Sequence, residues 1–103
     1  MRMSKRMMNE TAKDILTAFT YEIANHRKSA KSGEQEFVIE NMEDRRKHTA
    51  RCFIMLGILT VAEADECMKR KVSKAAYEAI NTKPNWLSAT AKLRGSQFAV
   101  DED

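Results

Sequence analysis

Three glycines and one proline are all the strong breakers in this chain of 103 residues, and they stand far apart. Ser32-Gly33, Gly57, Asn81-Thr82-Lys83-Pro84 and Gly95 cut the sequence into segments of helical length. A sheet protein with many tight turns needs more of both residues, because glycine supplies left-handed backbone and proline presets a turn. Thirteen Ala with plentiful Lys, Glu and Met lean the same way, towards helix.

Hydrophobic periodicity agrees. Met8, Ala12, Ile15, Phe19, Ile23, His26 and Ala30 recur at steps of four and three, which predicts a helix from about Asn9 to Lys31. Thr11 with Asp14 resembles a capping box, and Asn9 is a rival cap. Arg27, Lys28 and Lys31 suit the negative end of that helix. A second helix is predicted from about Glu34 to Leu56, with Val38, Met42, Thr49, Phe53 and Leu56 on one stripe. The stripe is interrupted by Glu43-Asp44-Arg45-Arg46-Lys47-His48, so a continuous helix must turn Arg45 or Arg46 inward. Such an arginine falls opposite Phe19 to Glu22 in an antiparallel pair, which makes Glu22, or an acid of a second chain, its expected partner.

Gly57 stands just past this second helix. Thr60 and Glu63, three apart directly after Gly57-Ile58-Leu59, form the strongest local signal, a capping box that opens a third helix. Val61, Ala64, Met68, Val72, Ala75 and Ala79 continue it, either to Ile80 or with a restart at Ser73. Asn85 is placed to cap a short helix from Trp86 to Arg94, and Trp86 is suited to anchor it internally. The expected fold is all-α: a three-helix bundle built on a long antiparallel helical hairpin, plus a short fourth helix. Residues 1–95 make a single helical domain and 96–103 a flexible acidic tail.

A chain of this mass hides roughly 65% of its unfolded surface, so a single core is attainable but thin. Long helices with one short third helix bury their stripes poorly alone, and a homodimer is expected. No apolar run approaches the roughly 20 residues of a membrane span. The basic start has no hydrophobic segment behind it, which argues against a secretory leader. With two cysteines, that suggests a reducing, cytoplasmic setting.

The chain offers few groups for catalysis. It has two His and two Cys, and lacks a glycine-rich phosphate loop, a His-Glu-x-x-His, a Cys-x-x-Cys and a nucleophile elbow. No enzyme activity, cofactor or catalytic residue is expected. His26, on the first helix's stripe, reads as a packed structural histidine. His48 and Cys52 are four apart, and a fold back at Gly57 brings Cys67 near their level. A structural zinc site wants four such ligands, so two buried thiols and no metal are the expectation.

Four basic clusters carry more weight: Arg2, Lys5 and Arg6; Arg27, Lys28 and Lys31; Arg45, Arg46, Lys47 and Arg51; and Lys69, Arg70, Lys71 and Lys74. Acids are mixed among them and no single face collects them. A helix-turn-helix around Gly57 fails, because Phe53, Glu63 and Glu66 stand where the motif wants small or apolar residues. The expected function is stoichiometric contact with a macromolecular partner, a protein in first place, as regulator, inhibitor or adaptor. Arg45, Arg46, Lys47, Arg51, Lys69, Arg70 and Lys71 are the expected contact residues. A nucleic-acid-binding regulator using the same clusters is the alternative.

Overall fold

The computed structural model describes residues 4–29 and 36–83 of the chain. The described residues form four α-helices and no strand: α1 (Lys5–Ser29), α2 (Glu36–Met55), α3 (Val61–Lys69) and α4 (Lys74–Asn81). The protein is all-α. The expected helix at Trp86 to Arg94 and the acidic tail 96–103 lie outside the described residues.

α1 starts four residues before its expected position. Ser4, not Asn9 or Thr11, supplies the cap: its Oγ accepts from Met7 N–H at 3.1 Å, and its carbonyl accepts from Met8 N–H. Asn9 is inside the helix, and its side chain reaches another element. α1 is the helix that all the others touch. It therefore buries more than one stripe: Ala12, Ile15 and Ile23 as expected, with Leu16, Thr17, Ala18 and Thr20 beside them. His26 is exposed, so it is not the packed histidine that the periodicity predicts. The inward face has ended at Ile23, one turn earlier.

α2 runs antiparallel to α1. Arg27 of α1 pairs with Glu43, Thr20 receives Arg46, and Asn9 near the start of α1 donates to Ile58 just past α2. The buried face of α2 is Ile39, Thr49, Ala50 and Phe53. This is rotated from the expected stripe: Val38 is 41% exposed and Leu56 70% exposed. The spacing permits the rotation. Ile39, Arg46, Ala50 and Phe53 recur at seven, four and three, a stripe that passes through Arg46.

A glycine ends α2. Gly57 has φ +74°, a conformation that a Cβ disfavours. Ile58 N–H donates to Phe53 O and Gly57 N–H to Ile54 O, the paired bonds of a Schellman motif. Thr60 then caps α3 with both halves of the capping box formed: Glu63 N–H to Thr60 Oγ1 at 3.1 Å, and Thr60 N–H to Glu63 Oε1 at 2.9 Å. α3 places Ala64 and Cys67 in the core with Ala12, Ile15, Leu16, Ala50, Phe53 and Leu59.

The third segment is two helices, not one. α3 stops at Lys69, its C-cap Arg70 is extended (φ −69°, ψ 143°), and Ser73 caps α4 by accepting from Ala76 N–H. α4 lies along α1: Tyr77 stacks on Tyr21 with centroids 4.3 Å apart and donates to Glu22 Oε2 at 2.8 Å, and Lys83 meets Asp14 at 2.5 Å. The break matters beyond topology, because it leaves Lys69, Arg70 and Lys71 at a chain bend beside α1 and α2.

Candidate functional site

Three elements meet at the C-terminal half of α1, and their cations converge there. A cleft of about 360 Å³ opens between α1, α2 and the α3–α4 link. Arg27 and Lys28 line it from α1, Arg46 from α2, and Lys69, Arg70 and Lys71 from the end of α3 and the link. Thr20, Tyr21 and Met68 belong to the same wall. Among the described residues, no Asp or Glu lines it. Arg27 is paired with Glu43 at the margin; the other five cations make no ion pair among the described residues.

Arg46 is the fixed member. The stripe of α2 turns it inward, as the sequence requires of Arg45 or Arg46, but its partner is not Glu22. Glu22 is held by Tyr77. Arg46 Nη1 instead donates to Thr20 Oγ1 at 3.1 Å and to Met68 O at 3.5 Å. The one proton of Thr20 Oγ1 lies within reach of two carbonyls, Leu16 O in α1 at 2.8 Å and Cys67 O across the interface at 3.1 Å. A hydroxyl and a carbonyl hold the guanidinium without neutralising it. Its Nε is buried with no hydrogen-bond partner among the described residues. Burial, and then the nearby charge of Arg27, push the Arg46 pKa below its ordinary value. Arginine stays charged all the same, so the cleft has a permanent positive floor.

The seven contact residues expected from the sequence divide into two groups. Arg46, Lys69, Arg70 and Lys71 are brought together in the cleft. Arg45, Lys47 and Arg51 are exposed on α2 and do not line it. Arg27 and Lys28, recognisable in the sequence only as one more basic cluster, complete the set. Their signal is the antiparallel register that sets the end of α1 against the middle of α2.

The thiols lie elsewhere. Cys67 is 3% exposed and its pKa is raised, chiefly by burial. Cys52 is half-buried, with its Sγ 3.8 Å from His48 Nε2. Among the described residues, no three His, Cys, Asp or Glu side chains gather at one point, so Cys67 does not join His48 and Cys52. A second cleft, of about 340 Å³, lies where Lys5, Arg6, Met8 and Asn9 meet the turn at Leu56 to Ile58. Its lining mixes cations with apolar side chains, and at the same turn Met55 is 85%, Leu56 70% and Val61 59% exposed. No helix among the described residues is long and apolar enough to cross a membrane. No family model, curated protein or solved structure matches the chain.

Proposed function

We propose that the chain is a small non-catalytic binding protein that acts by stoichiometric contact with a protein partner, and that its cationic cleft takes an acidic segment of that partner. The observation that carries this reading is the convergence of Lys28, Arg46, Lys69, Arg70 and Lys71 on one cleft that no Asp or Glu lines among the described residues; of these, Arg70 also borders a neighbouring cleft that Glu10, Asp14 and Glu66 line. Crowded like charges raise the free energy of the unbound protein, and an incoming polyanion lowers it. The cleft's volume, about 360 Å³, suits a few side chains and not the groove-length contact of a duplex.

Nucleic acid is the second reading, favoured by the basic surface (sequence pI about 9.0) and by Arg45, Lys47 and Arg51 beyond the cleft, which would lengthen a phosphate track. The two separate in one assay. A fluorescent peptide of alternating Glu and Gly is titrated with the wild-type chain, with Arg70→Glu/Lys71→Glu, and with Lys47→Glu/Arg51→Glu. The expected result is loss of binding in the cleft pair and less than twofold change in the outer pair. Loss in the outer pair instead, or tighter binding of a random single-stranded oligonucleotide at the same salt, sinks the acidic-segment reading.

The assembly belongs to this reading too. We read α1, α2 and α3 as the three-helix bundle, and a second copy of the chain as the cover for Met55, Leu56 and Val61. Burying three such side chains on each of two protomers is worth about 9–18 kcal/mol, against an association cost of about 4–15 kcal/mol. A cytoplasmic setting goes with the same reading, from the cysteine usage.

A further inference from the structure

Within the cleft, the five cations without an acidic partner among the described residues are not equivalent. Lys69, Arg70 and Lys71 are exposed, and long exposed side chains adapt to any negative group. Arg46 is held in place by Thr20 Oγ1 and Met68 O, both through Nη1. The guanidinium is planar, with its five donors in a fixed fork. With Nη1 committed, the edge that carries Nε is left, and Nε is buried with no partner among the described residues. Nε itself is closed to solvent, but the residue as a whole is only half-buried and lines the cleft, so an anion there meets a guanidinium that is already fixed and not neutralised.

Charge and geometry select the occupant. A carboxylate brings one negative charge and two oxygens. A phosphomonoester brings about −1.5 to −2 and three strong acceptor oxygens, enough to meet Arg46 on one side and the link cations on the other. A phosphodiester brings one charge and two free oxygens, and its chain must leave in both directions. A monoester ends in the phosphoryl group and can enter a compact cleft end-on. We propose that this cleft is a phosphoryl-binding site, with the guanidinium of Arg46, held by Thr20 and Met68, as its fixed cation, and that the partner segment it takes carries a phosphorylated side chain. The proposal rests on the reading of the cleft as the site for an acidic segment.

The test uses the full chain and three labelled peptides identical except at one position between two aspartates: phosphoserine, glutamate or serine. The phosphoserine peptide is expected to bind at least about tenfold tighter than the glutamate peptide, which corresponds to about 1.4 kcal/mol. Millimolar inorganic phosphate is expected to displace it, and acetate at the same ionic strength is not. Arg46→Lys keeps the charge and loses the fork; it should remove most of the phosphoserine advantage and change glutamate-peptide affinity by less than about threefold. If Arg46→Lys does not fold, as its circular dichroism would show, the phosphate-against-acetate competition on the wild-type chain decides alone. Equal affinity for the phosphoserine and glutamate peptides overturns the phosphoryl site and leaves the acidic-segment reading standing. No binding of any of the three peptides overturns both. Tighter binding of an oligonucleotide without a terminal phosphate than of the phosphoserine peptide assigns the cleft to nucleic acid.

Discussion

Arg46 shows how one side chain links folding to recognition. It interrupts an otherwise apolar stripe, and the hairpin tolerates it because Thr20 and the Met68 carbonyl accept from one nitrogen. Replacing it by a hydrophobe of similar length would relieve the buried charge but remove the cleft's floor. Thr60 and Glu63 give residue-scale predictions that do not depend on function. Thr60→Ala removes the acceptor for Glu63 N–H and should cost about 1 kcal/mol, read as a lowered denaturation midpoint. The carboxyl of Glu63 lies below its ordinary pKa, first because Thr60 N–H donates to it, and also through Lys13 and Asn9. A carboxyl lowered by folding contributes stability above its unfolded pKa and loses it as pH falls through the lowered folded value. Wild type should therefore lose stability on acidification below about pH 4, and Glu63→Gln, which keeps the acceptor, should lose less. Parallel acid profiles for the two proteins would show that the carboxylate does not hold the cap.

At the scale of the element, α4 is the helix held least by its core. Ile80 is its one buried residue, and its docking rests on the Tyr21–Tyr77 stack and the Tyr77–Glu22 bond. Tyr77→Phe keeps the stack and loses the bond, for about 1 kcal/mol. Hydrogen exchange should quicken in α4 and stay slow in the middle of α1; uniform quickening would mean that α4 unfolds only with the whole. The elements also show what a sequence makes legible. The α2–α3 turn is readable because a left-handed glycine and an i, i+3 capping pair act within a few residues. The start of α1 is not, because Ser4 sits among basic and Met residues without a distinctive box. The buried face of α2 is ambiguous because Val38 and Ile39 are both apolar, and only the register against α1 chooses Ile39. The restart at Ser73 is written locally, yet nothing local ends α3 at Lys69. The cleft is the least legible feature: its cations come from positions 27–28, 46 and 69–71, and only tertiary packing brings them to one wall.

For the whole molecule, charge and apolar surface make separate predictions. Five cations without an acidic partner among the described residues repel one another, and salt screens that repulsion. The thermal midpoint should rise between 0.1 and 1 M sodium chloride, by several degrees if the relief is about 1 kcal/mol. A falling midpoint would mean that the exposed ion pairs outweigh the cleft. Self-association should appear as a dimer mass in sedimentation at micromolar concentration. Leu56→Asp, at a side chain already 70% exposed, should return it to monomer without unfolding it. A wild-type monomer would remove the second copy from the account and leave the cleft untouched.

The cleft itself is tested most directly by nitrogen-15 NMR of the full chain titrated with the phosphoserine peptide, following the arginine Nε–H resonances with the backbone amides. The largest changes are expected at Arg46 Nε–H, whose donor has no partner among the described residues, and at the amides of Lys28, Arg70 and Lys71. Saturating changes centred instead on Lys47 and Arg51, or on Met55 and Leu56, with Arg46 Nε–H unmoved, would contradict the cleft as the binding surface.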